Sequence, residues 1–161
     1  MVHSTDLELS PGSESLSPSS KRQSGALASK TAEALTNFVA DFTKLLATDI
    51  APRVDVATLR KLEPSFTREE IETIVVAKRT LARRIAKKER LTVGETDRAL
   101  RLARIGAQAE SVFGDHEKAA RWLRKPSRAL SGQTPIVMLR TETGAQLVNE
   151  LLGQIAHGLF I

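Results

Sequence analysis

The chain has no cysteine and no tyrosine, and only one tryptophan and five phenylalanines among its 161 residues. The missing thiols exclude disulfides, thiolate nucleophiles and cysteine-ligated zinc together. The shortage of rings argues against an extended stacking surface for single-stranded nucleic acid, which relies on aromatic faces for successive bases. No apolar run approaches the roughly 20 residues that span a bilayer, and the N-terminus lacks the basic patch and apolar core of an export signal. A cytoplasmic, soluble protein without a membrane partner is the expectation. His3, His116 and His157 stand far apart and never at the two-histidine spacing of helical metal sites, so no metal is expected. Neither a Gly-rich phosphate loop nor a serine in a nucleophile elbow is present. The adjacent pair His116 and Glu117 would point in different directions on a helix, which leaves a hydrolase without its acid and base. The chain therefore reads as a non-enzyme with no cofactor of its own.

Positive charge is confined to the middle of the chain. Residues 1–52 carry 4 basic against 6 acidic side chains, residues 53–104 carry 14 against 8, and residues 105–161 carry 6 against 5. A polyanion would meet the central third, where excess Lys and Arg can neutralise phosphates.

The pattern throughout is helical, without strand-like alternation or a solenoid-length repeat. Residues 1–28 hold Pro11, Pro18, two Gly and many Ser but few apolar side chains, so their burial cannot offset the entropy of ordering and a disordered tail is predicted. Ser29 is placed to cap a helix carrying Leu35, Phe38, Val39, Phe42, Leu45 and Leu46 and ending before Pro52. This helix serves as a core element or as a dimerisation arm. Thr67 and Glu70 form a capping-box pair that opens a short helix with Ile71, Ile74 and Val75. After a turn near Ala77, a second helix from about Lys78 to Glu89 places Leu81 and Ile85 inward. A second capping-box pair, Thr92 and Glu95, opens a third helix with Leu100, Ala103, Ile105, Ala109 and Val112.

Short helix, tight turn and basic helix make a helix-turn-helix arrangement. Within the basic helix, Thr80, Arg83, Arg84 and Lys87 recur at i, i+3, i+4 and i+7, which gathers them opposite Leu81 and Ile85. Arginine can bridge guanine edges in a major groove while lysines and hydroxyls hold phosphates. The candidate DNA-binding residues are thus Lys78, Arg79, Thr80, Arg83, Arg84, Lys87 and Lys88, with Arg90 as a flanking backbone contact. One helix reads only a few base pairs, so a specific operator calls for a homodimer on an inverted repeat.

The last fifty residues carry explicit punctuation. Gly114 is placed to close one helix in the left-handed conformation, and Asp115 to accept hydrogen bonds from the first free N–H groups of the next. Thr134 before Pro135 reads as a cap followed by a residue already fixed at helical φ, and Thr141 caps a final helix with Leu147, Val148, Leu151, Leu152 and Ile155 inward. Trp122, with Ala119, Leu123 and Val112 at helical spacing, reads as the centre of a core. Gly158 is a plausible left-handed stop, beyond which Leu159, Phe160 and Ile161 form an apolar tip that calls for a partner or folds back on its own helix.

Phe113-Gly114-Asp115, the pair Trp122-Leu123, Pro126, Leu130, Gly132, the TPIxxL run from Thr134, the TxxGA run from Thr141 and the LLGxIxxGxxI ending from Leu151 resemble the toxin-binding domain of the MbcA/ParS/Xre antitoxins. The likeness covers about a third of the chain. The run from Leu91 to Ile105 with the preceding TLARR is more loosely similar to the Xre-type half that accompanies this domain.

The resemblance implies an all-α protein in which residues 29–108 form an Xre-like helix-turn-helix region and residues 109–161 a small helical toxin-binding domain. It further implies an antitoxin that silences a RES-domain toxin, an enzyme class that consumes NAD or transfers ADP-ribose, and that represses its own operon. Carried over to this chain, the tip entering the toxin's NAD pocket comprises His157, Gly158, Leu159, Phe160 and Ile161. A stand-alone repressor whose C-terminal domain only dimerises is the alternative.

Overall fold

The computed structural model describes residues 30, 33–44, 47 and 53–159. The tail 1–28, the Ser29 cap, Leu45, Leu46, the stop before Pro52, and Phe160 and Ile161 lie outside the described residues. Helix α1 covers 33–44, followed by a 3-10 helix Val56–Lys61, α2 Arg68–Ile74, α3 Lys78–Lys87, α4 Val93–Phe113, α5 His116–Arg124, a 3-10 helix Arg128–Leu130, α6 Pro135–Met138 and α7 Glu142–Ala156. The protein is all-α, as its periodicity implies: among the described residues the sole β feature is an isolated antiparallel bridge between Asp55 and Arg90.

Local chemistry sets most of the helix ends. Thr67 and Thr92 each accept a hydrogen bond from the backbone N–H three residues on, and Glu70 and Glu95 each accept one from the cap's own N–H, so both capping boxes are complete. Each such cap contributes about 1 kcal/mol by satisfying N–H groups that the helix itself cannot. Gly114 closes α4 at φ +61, and Asp115 opens α5 by accepting from the Lys118 N–H at 2.8 Å. Thr134 departs from expectation. Its side chain makes no cap bond, and its buried hydroxyl has no partner, so α6 starts on the fixed φ of Pro135 alone.

α4 is the axis of the fold. It packs against both α5 and α7, and several of its inward positions are small: Ala99, Ala103 and Ala109 are fully buried beside Leu102. Small residues let neighbouring helices approach the α4 backbone. A Cβ on Gly106 would stand 2.9 Å from the Phe66 ring and 3.0 Å from Leu35. Leu35, Phe38 and Phe42 of α1 join the same continuous core as Leu152 of α7, so the described part of α1 is a core element. The 108/109 boundary falls inside unbroken α4. Trp122 corrects the sequence reading: it is partly buried at the core edge, tilted against Phe113 with centroids 5.5 Å apart, while Leu123 is 2% exposed.

Polar contacts tie α2 and α4 to the C-terminal half. Arg124 of α5 grips Glu70 of α2 with Nε at 2.8 Å and Nη2 at 2.7 Å, so Glu70 serves as cap and clamp partner at once. Ser65 donates to Glu110 at 2.8 Å, and the same carboxylate oxygen meets His116 Nδ1 at 2.7 Å. Arg101 reaches Glu142 at 2.8 Å and the Leu139 carbonyl at 3.3 Å, which fastens α4 to the α6–α7 joint.

Candidate functional site

Among the described residues, two surfaces carry the candidate site residues. The first is α3. Its N-cap, Ala77, makes no side-chain cap bond, and the α2–α3 turn is held by the buried Val75 and Val76 and by Arg98, whose Nε donates to the Val75 carbonyl at 2.9 Å. The helix closes on Lys88 in the left-handed conformation (φ 52), one residue short of the expected Glu89.

Its rotation differs from the sequence reading. Leu81 faces inward as expected, but Ile85 is 49% exposed and Arg84 is 9% exposed. The Arg84 guanidinium donates to the Arg90 carbonyl at 2.9 Å and pairs with Glu95 at 3.3 Å and Glu89 at 3.4 Å. Arg84 is therefore withdrawn from the DNA-binding set, because its Nη groups are turned inward and spent on fixing α3 to the start of α4. Its Nε lies buried without a partner.

Lys78, Arg79, Arg83, Lys87 and Lys88 are exposed, and Thr80 is half-buried. The outermost strip runs through Arg79, Ala82, Arg83 and Ala86, all exposed at i, i+3, i+4 and i+7. Sequence reasoning passed over the two alanines. Their signal is that short side chains on a basic helix let its backbone approach a groove floor, and alanine can touch a thymine methyl. Arg83 is held at 3.0 Å by Glu89.

Glu95 supports this surface from behind. Burial pushes its carboxyl pKa up, but the Thr92 backbone and hydroxyl bonds and the Arg84 and Arg98 charges outweigh that, holding it below the ordinary 4.5. A carboxyl lowered on folding binds its proton more tightly in the unfolded chain, so its stabilisation is full above about pH 4.5 and is lost as pH falls through the folded value. In acid titrations followed by far-UV circular dichroism, Glu95→Gln is expected to flatten the stability loss below that pH. An unchanged acid limb would remove Glu95 from the account.

The second surface is the C-terminal end of α7. Thr141 caps this helix by accepting from the Gly144 N–H at 3.0 Å, and Gly144, Ala145, Val148, Leu151 and Leu152 face the core. Leu147, expected inward, is 45% exposed, and Ile155 is half-buried. At the far end Gly158 turns left-handed at φ +67. Its N–H donates to the Ile155 carbonyl, and that of Leu159 to the Gln154 carbonyl at 3.0 Å. This paired closure satisfies the last carbonyls and aims the chain off the helix. His157, Gly158 and Leu159 are all exposed, and Leu159 is 68% exposed, the largest value among the exposed large apolar side chains. Among the described residues no group of three His, Asp or Glu side chains could hold a metal, and no helix is long and apolar enough to cross a membrane.

The profile of the Antitoxin Xre/MbcA/ParS C-terminal toxin-binding domain matches residues 108–158. An "Antitoxin Xre" of Pseudomonas putida is 50% identical over 84 residues, which cover 52% of this chain and 53% of the relative. An "Antitoxin Xre" of Yersinia enterocolitica is 36% identical over 109 residues, covering 66% of this chain and 74% of the relative. The chain thus spans about half the length of the first relative and nearly three-quarters of the second. Among solved structures, a chain of the M. tuberculosis MbcT–MbcA toxin–antitoxin complex superposes with a TM-score of 0.50 at 27% identity, covering 66% of this chain and 96% of that one.

Proposed function

Because the chain belongs to the Xre/MbcA/ParS antitoxin family, we propose that it binds a RES-domain toxin and inhibits it by lodging its C-terminal end in the toxin's NAD pocket. The observation that carries this reading is the exposed Leu159, projected past a helix already closed by its own hydrogen bonds. An apolar side chain in that position adds nothing to the fold and is available to an enzyme cleft, which is mostly apolar with a few polar groups. His157, Gly158, Leu159, Phe160 and Ile161 form the neutralising tip. Inhibition is steric, so the chain performs no reaction, and NAD is the toxin's ligand.

The same protein binds its operator as a homodimer, using Lys78, Arg79, Thr80, Arg83, Lys87 and Lys88 of the α3 surface. Residues 29–108 carry DNA recognition and residues 109–161 toxin binding, with α4 shared between them. The complex is cytoplasmic.

Coexpression with the product of the neighbouring reading frame tests the first part. The chain is expected to relieve growth arrest by that product, and persistence of the arrest sinks the assignment. For the second part, Arg79→Ala is expected to weaken operator binding by about 1–3 kcal/mol and to lower the salt slope by about one if it holds a phosphate, with thermal stability unchanged. Arg84→Ala is expected to do the reverse, because it removes the Glu95 pairing and the bond to the Arg90 carbonyl and costs about 2 kcal/mol of folding stability. Gel-shift titrations across salt, beside thermal melts, separate the two residues. Equal effects on DNA binding at constant stability would restore Arg84 to the DNA face.

A further inference from the structure

α7 carries a glycine whose place is unexplained by its own fold. Gly106 and Gly144 are each pinned by neighbours that a Cβ would strike. Gly153 has nothing within 4 Å of its Cβ position among the described residues, although it sits inside a helix, where glycine is the least favoured residue after proline. It shares one outward face with Gln146, Asn149, Glu150 and His157, spaced i, i+3, i+4, i+7 and i+11, all four exposed.

That face borders a groove of about 330 Å³ between α4 and α7, whose polar lining is Arg101, Arg104, Glu142, Gln146, Asn149 and Glu150. Within it Arg101 and Arg104 are both paired with Glu142, at 2.8 and 3.7 Å. The polar character of the strip therefore comes from the carboxamides of Gln146 and Asn149 and from the exposed carboxylate of Glu150. From Leu151 to Leu159 no Lys, Arg, Asp or Glu occurs. Toward the C-terminus the strip runs directly into His157 and the projecting tip.

We propose that this strip is a second contact with the toxin, taking an extended stretch of the toxin's main chain, which crosses α7 at Gly153. Carboxamides offer a donor and an acceptor to peptide groups, and the missing side chain at Gly153 lets another backbone come within van der Waals reach of the helix. Lack of charge on the last turns avoids the desolvation that a buried Lys or Glu would impose there. The inference rests on the toxin-binding reading above and extends it from the tip to the flank of α7.

The test uses the full chain and the product of the neighbouring reading frame, with binding measured by calorimetry. Gly153→Ala is expected to raise the melting midpoint of the free protein by about 2–4 °C, since alanine favours the helix, while weakening the complex about 10-fold. Gly153→Leu is expected to weaken it about 100-fold with the free protein still folded. Wild-type affinity in Gly153→Leu overturns the inference and leaves the toxin-binding reading standing. A fall in the midpoint of free Gly153→Ala with unchanged toxin affinity overturns it as well, because Gly153 would then be covered by the chain's own last residues. If the wild-type chain itself fails to bind, both readings fall.

Discussion

Truncation after Gly158 is expected to abolish toxin neutralisation while leaving operator binding intact. Burying a Leu, Ile or Phe side chain contributes about 1.5–3 kcal/mol. Three such residues seated in a cleft exceed the roughly 2.8 kcal/mol that corresponds to a 100-fold change in affinity. The truncated chain should therefore bind the toxin at least about 100-fold more weakly and give no protection in coexpression. The loss to the fold should be small, because Leu159 is 68% exposed and its contribution is one backbone hydrogen bond to the Gln154 carbonyl.

Leu159→Asp keeps that hydrogen bond and places a charge where an apolar side chain is needed. It should reproduce the loss of neutralisation with an unchanged melting midpoint. Survival of neutralisation in both variants would remove the tip from the mechanism. A melting midpoint lowered by many degrees in the truncated chain would mean that these residues fold back on the chain's own helix.

What the sequence made legible was local. The two capping boxes, the Gly114-Asp115 joint and the left-handed Gly158 each depend on residues within a few positions of one another, so their chemistry can be read without a fold. The phase of α3 depends on distant partners. With two large apolar residues in ten, its stripe was fixed by assuming that both Leu81 and Ile85 point inward. The structure instead turns Arg84 inward, because Glu95 and the Arg90 carbonyl wait there, eleven and six residues along the chain. An arginine that is structural and one that is free have the same letter, and only the opposing carboxylate distinguishes them.

Trp122 was misjudged for a related reason. Its helical spacing with Ala119, Leu123 and Val112 suggested the centre, but Leu123 takes the buried position and the indole lies at the rim against Phe113. The glycine stop at Gly158 was legible for the same local reason, and Leu159 beyond it is exposed. The flank of α7 was not, because an open glycine and a packed glycine look alike until their neighbours are placed.

Gly144→Ala carries the second large effect, and its sign runs against helix propensity. In a helix interior, glycine to alanine ordinarily stabilises by about 1 kcal/mol. At Gly144, in the first turn of α7, a Cβ would collide with the Met138 carbonyl oxygen and would stand 2.9 Å from both the Met138 carbonyl carbon and Thr141 Oγ1. Two of these atoms are backbone and cannot swing aside. The third is the cap that accepts the Gly144 N–H at 3.0 Å, so relief of the clash also spoils the start of α7. Overpacking costs about 1–3 kcal/mol and loss of a cap about 1. The net expectation is destabilisation by about 3 kcal/mol, a fall of roughly 10 °C in melting midpoint for a chain of this size. The close approach of α6 to α7 also positions Glu142 for its 2.8 Å pairing with Arg101, so the variant should loosen α7 from α4 and weaken toxin binding even where the protein remains folded. Thermal melts of the Gly144→Ala and Gly153→Ala proteins decide the matter: the same substitution, nine residues apart on one helix, should lower stability at the first site and raise it at the second. Equal stability of Gly144→Ala and wild type would show that the α6–α7 joint yields without cost, and the packing account of the TxxGA run would fail.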